Sequence, residues 1–500
     1  LSVKRRLERL VMIEKKYDIP IVATQQKMKP LSFCFALFSD CLSIIILMPK
    51  GAHLLMNKTK DLSVGNIYHN LISFSFPILL GYLFQNLYNS VDSAIVGQYV
   101  GKAALGAVTS SSMISNVVVG FFTGLATGVT VILSRYFGAK QYDRLHIAIH
   151  TSIMFSILSG VVMALIGQFI SPWLLKAINC PDDVYIQAVT YLKLYLMGCL
   201  FTSIYNVSSS VLRSVGDSRS PFLYLVISSV VNVLLDIALV AYEGMGVSGV
   251  GIATIVSQLV SCILVFFRLM KTDDVYQLVI KDLKIDFDIL RELVNIGLPA
   301  ALQTCLISFS NVFIQKYINM FGSDAIAGLG AAQKVDAFAS MPTQSISLTM
   351  TTYVSQNLGA RKPERVREGI KVGHIITLVS IAMIVIPSYI FSGSLIRLFN
   401  KDPEVVRYGV GMMHIILPLY FTLGINSVYC GVVRGYGHSR AVMLISLFSM
   451  VFLRQIYLHV AMNIFHSINV VNYGYPFAWA ICALLIYTYY LIAIKSKETA

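Results

Sequence analysis

Residues 75–102 read SFPILLGYLFQNLYNSVDSAIVGQYVGK, and this stretch decides the fold. It exceeds the roughly 20 apolar residues that a helix needs to cross a bilayer. Yet it opens on Pro77 and carries Asp92 in its later part. Gln85, Asn89 and Asp92 stand four and three apart, so a helix places them on one polar face. A charged group at the bilayer centre costs about 2.5–3.5 kcal/mol on insertion scales, so Asp92 is expected to face protein or water and to serve function.

The rest of the chain repeats this character. Of 500 residues, 56% are hydrophobic and 13% charged, about half the charge of a soluble protein. Twelve apolar runs are expected to span a membrane, at roughly 70–98, 107–134, 147–170, 186–212, 221–241, 248–268, 293–320, 326–353, 373–393, 407–432, 441–464 and 471–494. The fold class is therefore all-α and integral to the membrane. The net charge of +14 is not a nucleic-acid signal. Lys and Arg collect in loops after even-numbered spans, such as Lys140 and Arg144, Arg213 and Arg219, Arg361 to Lys371, and Arg434 and Arg440. The positive-inside rule then puts both termini in the cytoplasm. Eight scattered cysteines show no metal-ligand spacing. Residues 1–55 are mixed and charged, and Met56 opens a basic lead into the first span, so 1–55 is expected to be a non-native or disordered extension.

The charged connector 269–292 divides residues 56–268 from 293–500, and the two parts are alike. LSRYFGAKQYDRL (133–145) aligns with VSQNLGARKPERV (354–366), and RSVGDSR (213–219) with RGYGHSR (434–440), both 221 residues apart. Pro77 pairs with Pro299 and Gly101 with Gly322 at nearly the same offset. Six spans per half make these parallel repeats, two pseudo-symmetric six-helix lobes of the kind that enclose a transport pathway. No HExxH, GxSxG or Walker A motif occurs, so neither an enzyme nor an ATP-driven pump is expected.

The 76–108 stretch, the RSxGDSRxP loop, NVLLDIAL with GMGVSGVGIATIVSQ, and IGLPAALQ and LGARKPERV of the second half together resemble the MATE family of multidrug and toxic-compound extrusion antiporters. The resemblance runs from about Met56 to the C-terminus. It implies a multi-pass transporter of the bacterial cell membrane that exports amphipathic, often cationic compounds against inward movement of protons or sodium ions. It implies no other cofactor and no nucleic-acid partner, and a monomer suffices. Matched position by position, the family's N-lobe cation site falls on Asp92, Asn232, Asp236 and Thr254. Asp92, Asp236 and Thr254 each lie five or six residues from the outer end of their span, about 8–9 Å below the surface at 1.5 Å per residue. Two close carboxylates in low dielectric need a proton or a cation between them, and oxygen ligands suit an alkali ion. Pro77 is the expected hinge of span 1.

Spans 7 and 10 lack the acidic residues that some members of that family carry, so no C-lobe carboxylate site is expected. Gln85, Asn89, Gln333, Lys334 and Asp336 are candidates for lining the central cavity. Lys334 and Asp336, two apart, do not face each other on a helix. A lipid-linked oligosaccharide flippase or a metabolite exporter of the same superfamily is the alternative reading.

Overall fold

A computed structural model describes residues 60–178 and 180–496; the expected extension at 1–55 lies outside them. Every element among the described residues is helical. In chain order they are α1 (Ile67–Ile95), α2 (Lys102–Gly138), α3 (Tyr142–Ala177), α4 (Asp182–Met197), α5 (Cys199–Ser214), α6 (Arg219–Asp236), α7 (Gly246–Lys271), α8 (Phe287–Asn319), α9 (Ser323–Ala339), α10 (Met341–Gly359), α11 (Pro363–Ile390), α12 (Ser392–Arg397), α13 (Pro403–Ile416), α14 (Tyr420–Gly435), α15 (Ser439–Leu447), α16 (Arg454–Phe465) and α17 (Ile468–Tyr489).

These helices fill all twelve expected spans, with two differences. Span 4 is broken: α4 and α5 meet at Gly198 with a bend of 42°. Ten other spans are long and apolar enough to cross a membrane by themselves. The eighth, α9 with α10, is too polar to pass that test. Its Ser and Thr residues (Thr343, Ser345, Thr349, Thr351, Thr352, Ser355) are buried in protein instead of facing lipid. Polar helices are tolerated at membrane depth when neighbouring protein satisfies them: Thr349 bonds the Ser345 carbonyl within its own helix, and Thr351 and Ser355 reach the Gly431 and Gly435 carbonyls of α14. The connector also proves shorter than its charge suggested. α7 runs to Lys271 and α8 starts at Phe287, where Asp286 accepts hydrogen bonds from the first free N–H groups.

The repeat extends to single backbone angles. Lys140 (φ 57°) matches Arg361 (φ 55°), Gly101 (φ 107°) matches Gly322 (φ 87°), and Gly216 (φ 89°) matches Gly437 (φ 88°), each pair 221 apart. A left-handed Lys or Arg is uncommon, so its recurrence marks the same turn built twice.

The lobes are knitted together at the end bearing the basic loops. Leu62, Leu71, Phe74 and Ile78 of the first half pack into a core with Met350, Tyr353 and Val428 of the second. In return Ile289 and Leu293 of α8 pack into the first lobe. Ser345 donates to the Ser75 carbonyl (2.7 Å), Lys362 to that of Ser63 (2.8 Å) and Arg365 to that of Gly65 (3.0 Å). The α2–α10 contact is self-complementary: a Cβ at Gly138 would overlap Gln356, and one at Gly359 would overlap Arg135. Gly138 and Gly359, and Arg135 and Gln356, are repeat partners, so one patch faces its own copy as in a twofold interface.

Gln356 closes this seam. Fully buried, it donates from Nε2 to the Ser214 carbonyl (2.7 Å) and accepts at Oε1 from the Leu62 N–H (2.9 Å). Gln356→Ala leaves the Leu62 N–H unpaired, at about 1–3 kcal/mol, and leaves the Ser214 carbonyl only the long contact from the Ser134 hydroxyl (3.5 Å). The expected result is a clearly lower melting temperature for the purified protein in detergent; an unchanged one contradicts this role.

Candidate functional site

The site forms where α1 and α6 end. The RSVGDSR loop fixes the start of α6: Asp217 accepts from the N–H groups of Arg219 (3.1 Å) and Ser220 (3.0 Å) and from the Ser220 hydroxyl (2.6 Å). From that cap α6 runs to Asp236, the last residue of its regular helix. A wider, π-helical segment follows at Ile237–Tyr242. α1 behaves alike, with Asp92 in its last turn and a π-helical segment at Val96–Val100. Such segments concentrate at functional sites, and here both carboxylate-bearing helices have one.

Asp92 (9% exposed) and Asp236 (0%) are buried and face each other closely enough to interact through their carboxyl groups. Asn232, one turn before Asp236, is 2% exposed. Four buried oxygens have no well-formed hydrogen bond: Asp92 Oδ1, Asp236 Oδ1 and Oδ2, and Asn232 Oδ1. Buried polar atoms are ordinarily satisfied; these oxygens suit a proton or an alkali cation by the chemistry of the ligand set, and the Asn232 amide nitrogen beside them is unpaired as well. Thr254 is buried on α7, and its hydroxyl donates to the Val250 carbonyl (2.9 Å), leaving only its lone pairs to offer.

Two tyrosines escaped the sequence reading. Tyr88 and Tyr191 lie within electrostatic reach of both carboxyls. Tyr88 stands four residues before Asp92, a spacing that was legible; Tyr191 arrives from α4 and only the fold brings it in. Of the expected polar face, Asp92 is buried, Gln85 half-buried and Asn89 exposed. Pro77 is buried inside an uninterrupted α1, two residues from the carbonyl that Ser345 bonds across the lobes.

In the second lobe Lys334 and Asp336 point apart, as their spacing requires. Asp336 accepts a short hydrogen bond from the Tyr420 hydroxyl, while Lys334 lies over the Phe399 ring (5.6 Å). Gln333 and Lys334 are exposed, and Gln333 reaches Tyr475. Arg454, 3% exposed, donates to Ser310 (2.8 Å) and Asn311 (3.0 Å) and lies over Tyr475 (5.7 Å). At the repeat offset Tyr475 stands where Thr254 stands. The buried Arg454 lies one residue from the counterpart of Asn232, while the position matching Asp236 is Tyr457.

Two repeated six-span lobes, joined at one end and holding a buried polar site, define a polytopic membrane transporter. Residues 77–238 and 299–458 both match the family model described as MatE, once in each half, and the chain belongs to that family. It is similar to the probable multidrug resistance protein YoeA of Bacillus subtilis, with 27% identity over 88% of this chain and 97% of that protein. It is also similar to the FAD transporter of Shewanella oneidensis, 24% identical over 77% of this chain and 85% of that one. Its fold matches a solved multidrug resistance MATE family transporter in an outward-facing conformation, with a TM-score of 0.83 at 18% identity, covering 89% of this chain and all of the other. The protein is a transporter, not an enzyme.

Proposed function

We propose that this protein exports amphipathic, often cationic compounds from the cytoplasm in exchange for protons or sodium ions, acting as a monomer with both termini in the cytoplasm. The observation that carries the reading is the buried Asp92–Asp236 pair with Asn232, whose carboxyl and amide oxygens have no well-formed hydrogen bond inside a transporter lobe. The lobes meet at the basic end, which the positive-inside rule assigns to the cytoplasm, so the pathway opens outward. A cation entering from outside binds Asp92 and Asp236, with Asn232 and Thr254 supplying further oxygens. Neutralised, α1 and α6 pack closer, the substrate surface changes shape and the drug leaves. The lobes then close on the outer side and part at the basic end, with Pro77 as the bend in α1, and the cavity reopens inward. Gln85, Asn89, Gln333 and Lys334 are the proposed polar lining of the cavity; Asp336 is held by Tyr420 and is assigned to structure.

Substrate class is tested in proteoliposomes under an imposed proton or sodium gradient, with ethidium, FAD and a lipid-linked oligosaccharide as cargoes. Ethidium movement driven by one of the gradients is expected. Movement of FAD alone, in keeping with the name of the Shewanella relative, would recast the protein as a metabolite exporter; movement of the lipid-linked sugar alone would make it a flippase.

A further inference from the structure

Far from the carboxylate pair, at the basic end, α3 and the inter-lobe connector bring three metal-ligating side chains together. His146, His150 and Asp282 each offer a ligand atom, and these atoms all lie within 4.8 Å of one another. The two histidines are i and i+4 on α3, so their rings share a face, with centroids 4.1 Å apart. Asp282 comes from the turn Ile280–Asp282 of the connector and places Oδ2 3.7 Å from His146 Nε2. We propose that these three residues bind a transition-metal dication of the zinc class.

The surroundings suit that chemistry. His150 donates from Nδ1 to the His146 carbonyl (2.7 Å), which holds the ring and leaves the lone pair on Nε2, the arrangement seen in metal-bound histidines. That lone pair accepts the Val279 N–H (3.0 Å), and the same nitrogen is 3.1 Å from the Val279 carbonyl. Metal binding therefore exchanges one connector contact, Val279, for another, Asp282. Asp143, in the first turn of α3, adds negative charge beside His146. Two imidazoles and one carboxylate leave a fourth tetrahedral position to water, and the nitrogen donors select zinc, cobalt or nickel over magnesium and calcium. His146 and Asp282 are partly exposed, so an ion reaches them from solvent. The connector is the covalent link from α7 to α8, and the ion would pin it to the first lobe.

The test uses the full-length protein without a polyhistidine tag, purified in detergent and titrated with Co²⁺ and Zn²⁺. The expected result is saturable binding of one Co²⁺ with the visible absorption of a tetrahedral site, displaced by Zn²⁺. Binding should weaken in both His146→Ala and Asp282→Asn by at least the roughly 10–100-fold that loss of an outer-shell partner costs. Both residues are partly exposed, so the metal-free variants should melt near wild type. Octahedral or unsaturable Co²⁺ binding, or equal affinity in either variant, overturns the proposal.

Discussion

Replacing Asp236 with asparagine is expected to abolish gradient-driven dye uptake into inverted membrane vesicles while leaving the protein folded. The side chain keeps its size and one acceptor, but it can neither release a proton nor contribute charge to a bound cation. Asp236 is fully buried beside Asp92, and neither of its oxygens has a well-formed hydrogen bond. The substitution therefore breaks no existing network and relieves a crowded pair. A melting temperature equal to or above wild type, together with transport at background, is the expected combination. Asp336→Asn is the control. An asparagine oxygen still accepts from Tyr420, so gradient-driven uptake should persist. Uptake retained in Asp236→Asn and lost in Asp336→Asn would move the coupling site to the second lobe.

Gly138→Leu is expected to have the second large effect, on the state the lobes adopt. A Cβ at this position would lie 2.8 Å from the Gln356 carbonyl carbon and 2.9 Å from its Cα. The obstacle is α10 backbone, which cannot rotate away as a side chain would. Overpacking commonly costs about 1–3 kcal/mol, and a clash with backbone belongs at the upper end. The lobes should part at the basic end, exposing Ser214 and Gln356, both buried in the intact seam. A cysteine at position 214 should then react with a membrane-impermeant maleimide in the Gly138→Leu background and stay protected without it. Equal protection and an unchanged melting temperature would show that the seam yields elsewhere.

How much of this was legible in the sequence differs from element to element. The spans were legible because lipid demands long apolar runs, and the repeat because turns need particular residues: Gly101 and Gly216 recur as Gly322 and Gly437, and Lys140 has its counterpart in Arg361, each with positive φ. Asp92 and Asp236 stood out because a carboxylate among apolar residues is costly, and the fold brings the two together. What failed to show depends on distant partners. The eighth span was expected at 326–353, but not that it is polar and held by the helices that bury it. The π-helical segments after Asp92 and Asp236 shift the helix by a single residue, too little to disturb an apolar pattern. Arg454 meets Ser310, Asn311 and Tyr475, partners on two other helices that only the fold brings to it. His146 and His150 carried a metal-ligand spacing in plain view, yet their third partner is over 130 residues away in the connector.

The central claim is that Asp92 and Asp236 couple a cation to the drug, and coupling is reciprocal. The most direct measurement is therefore the equilibrium dissociation constant of a dye such as ethidium, against purified wild type and Asp92→Asn, across a range of pH and of sodium concentration. For wild type, one of the two cations should weaken dye binding by about 5–150-fold as it saturates the site, the usual range for coupled sites. In Asp92→Asn the affinity should stay flat across the same range. An equal cation dependence in wild type and variant would contradict the account, because the coupling would then run through groups other than this pair.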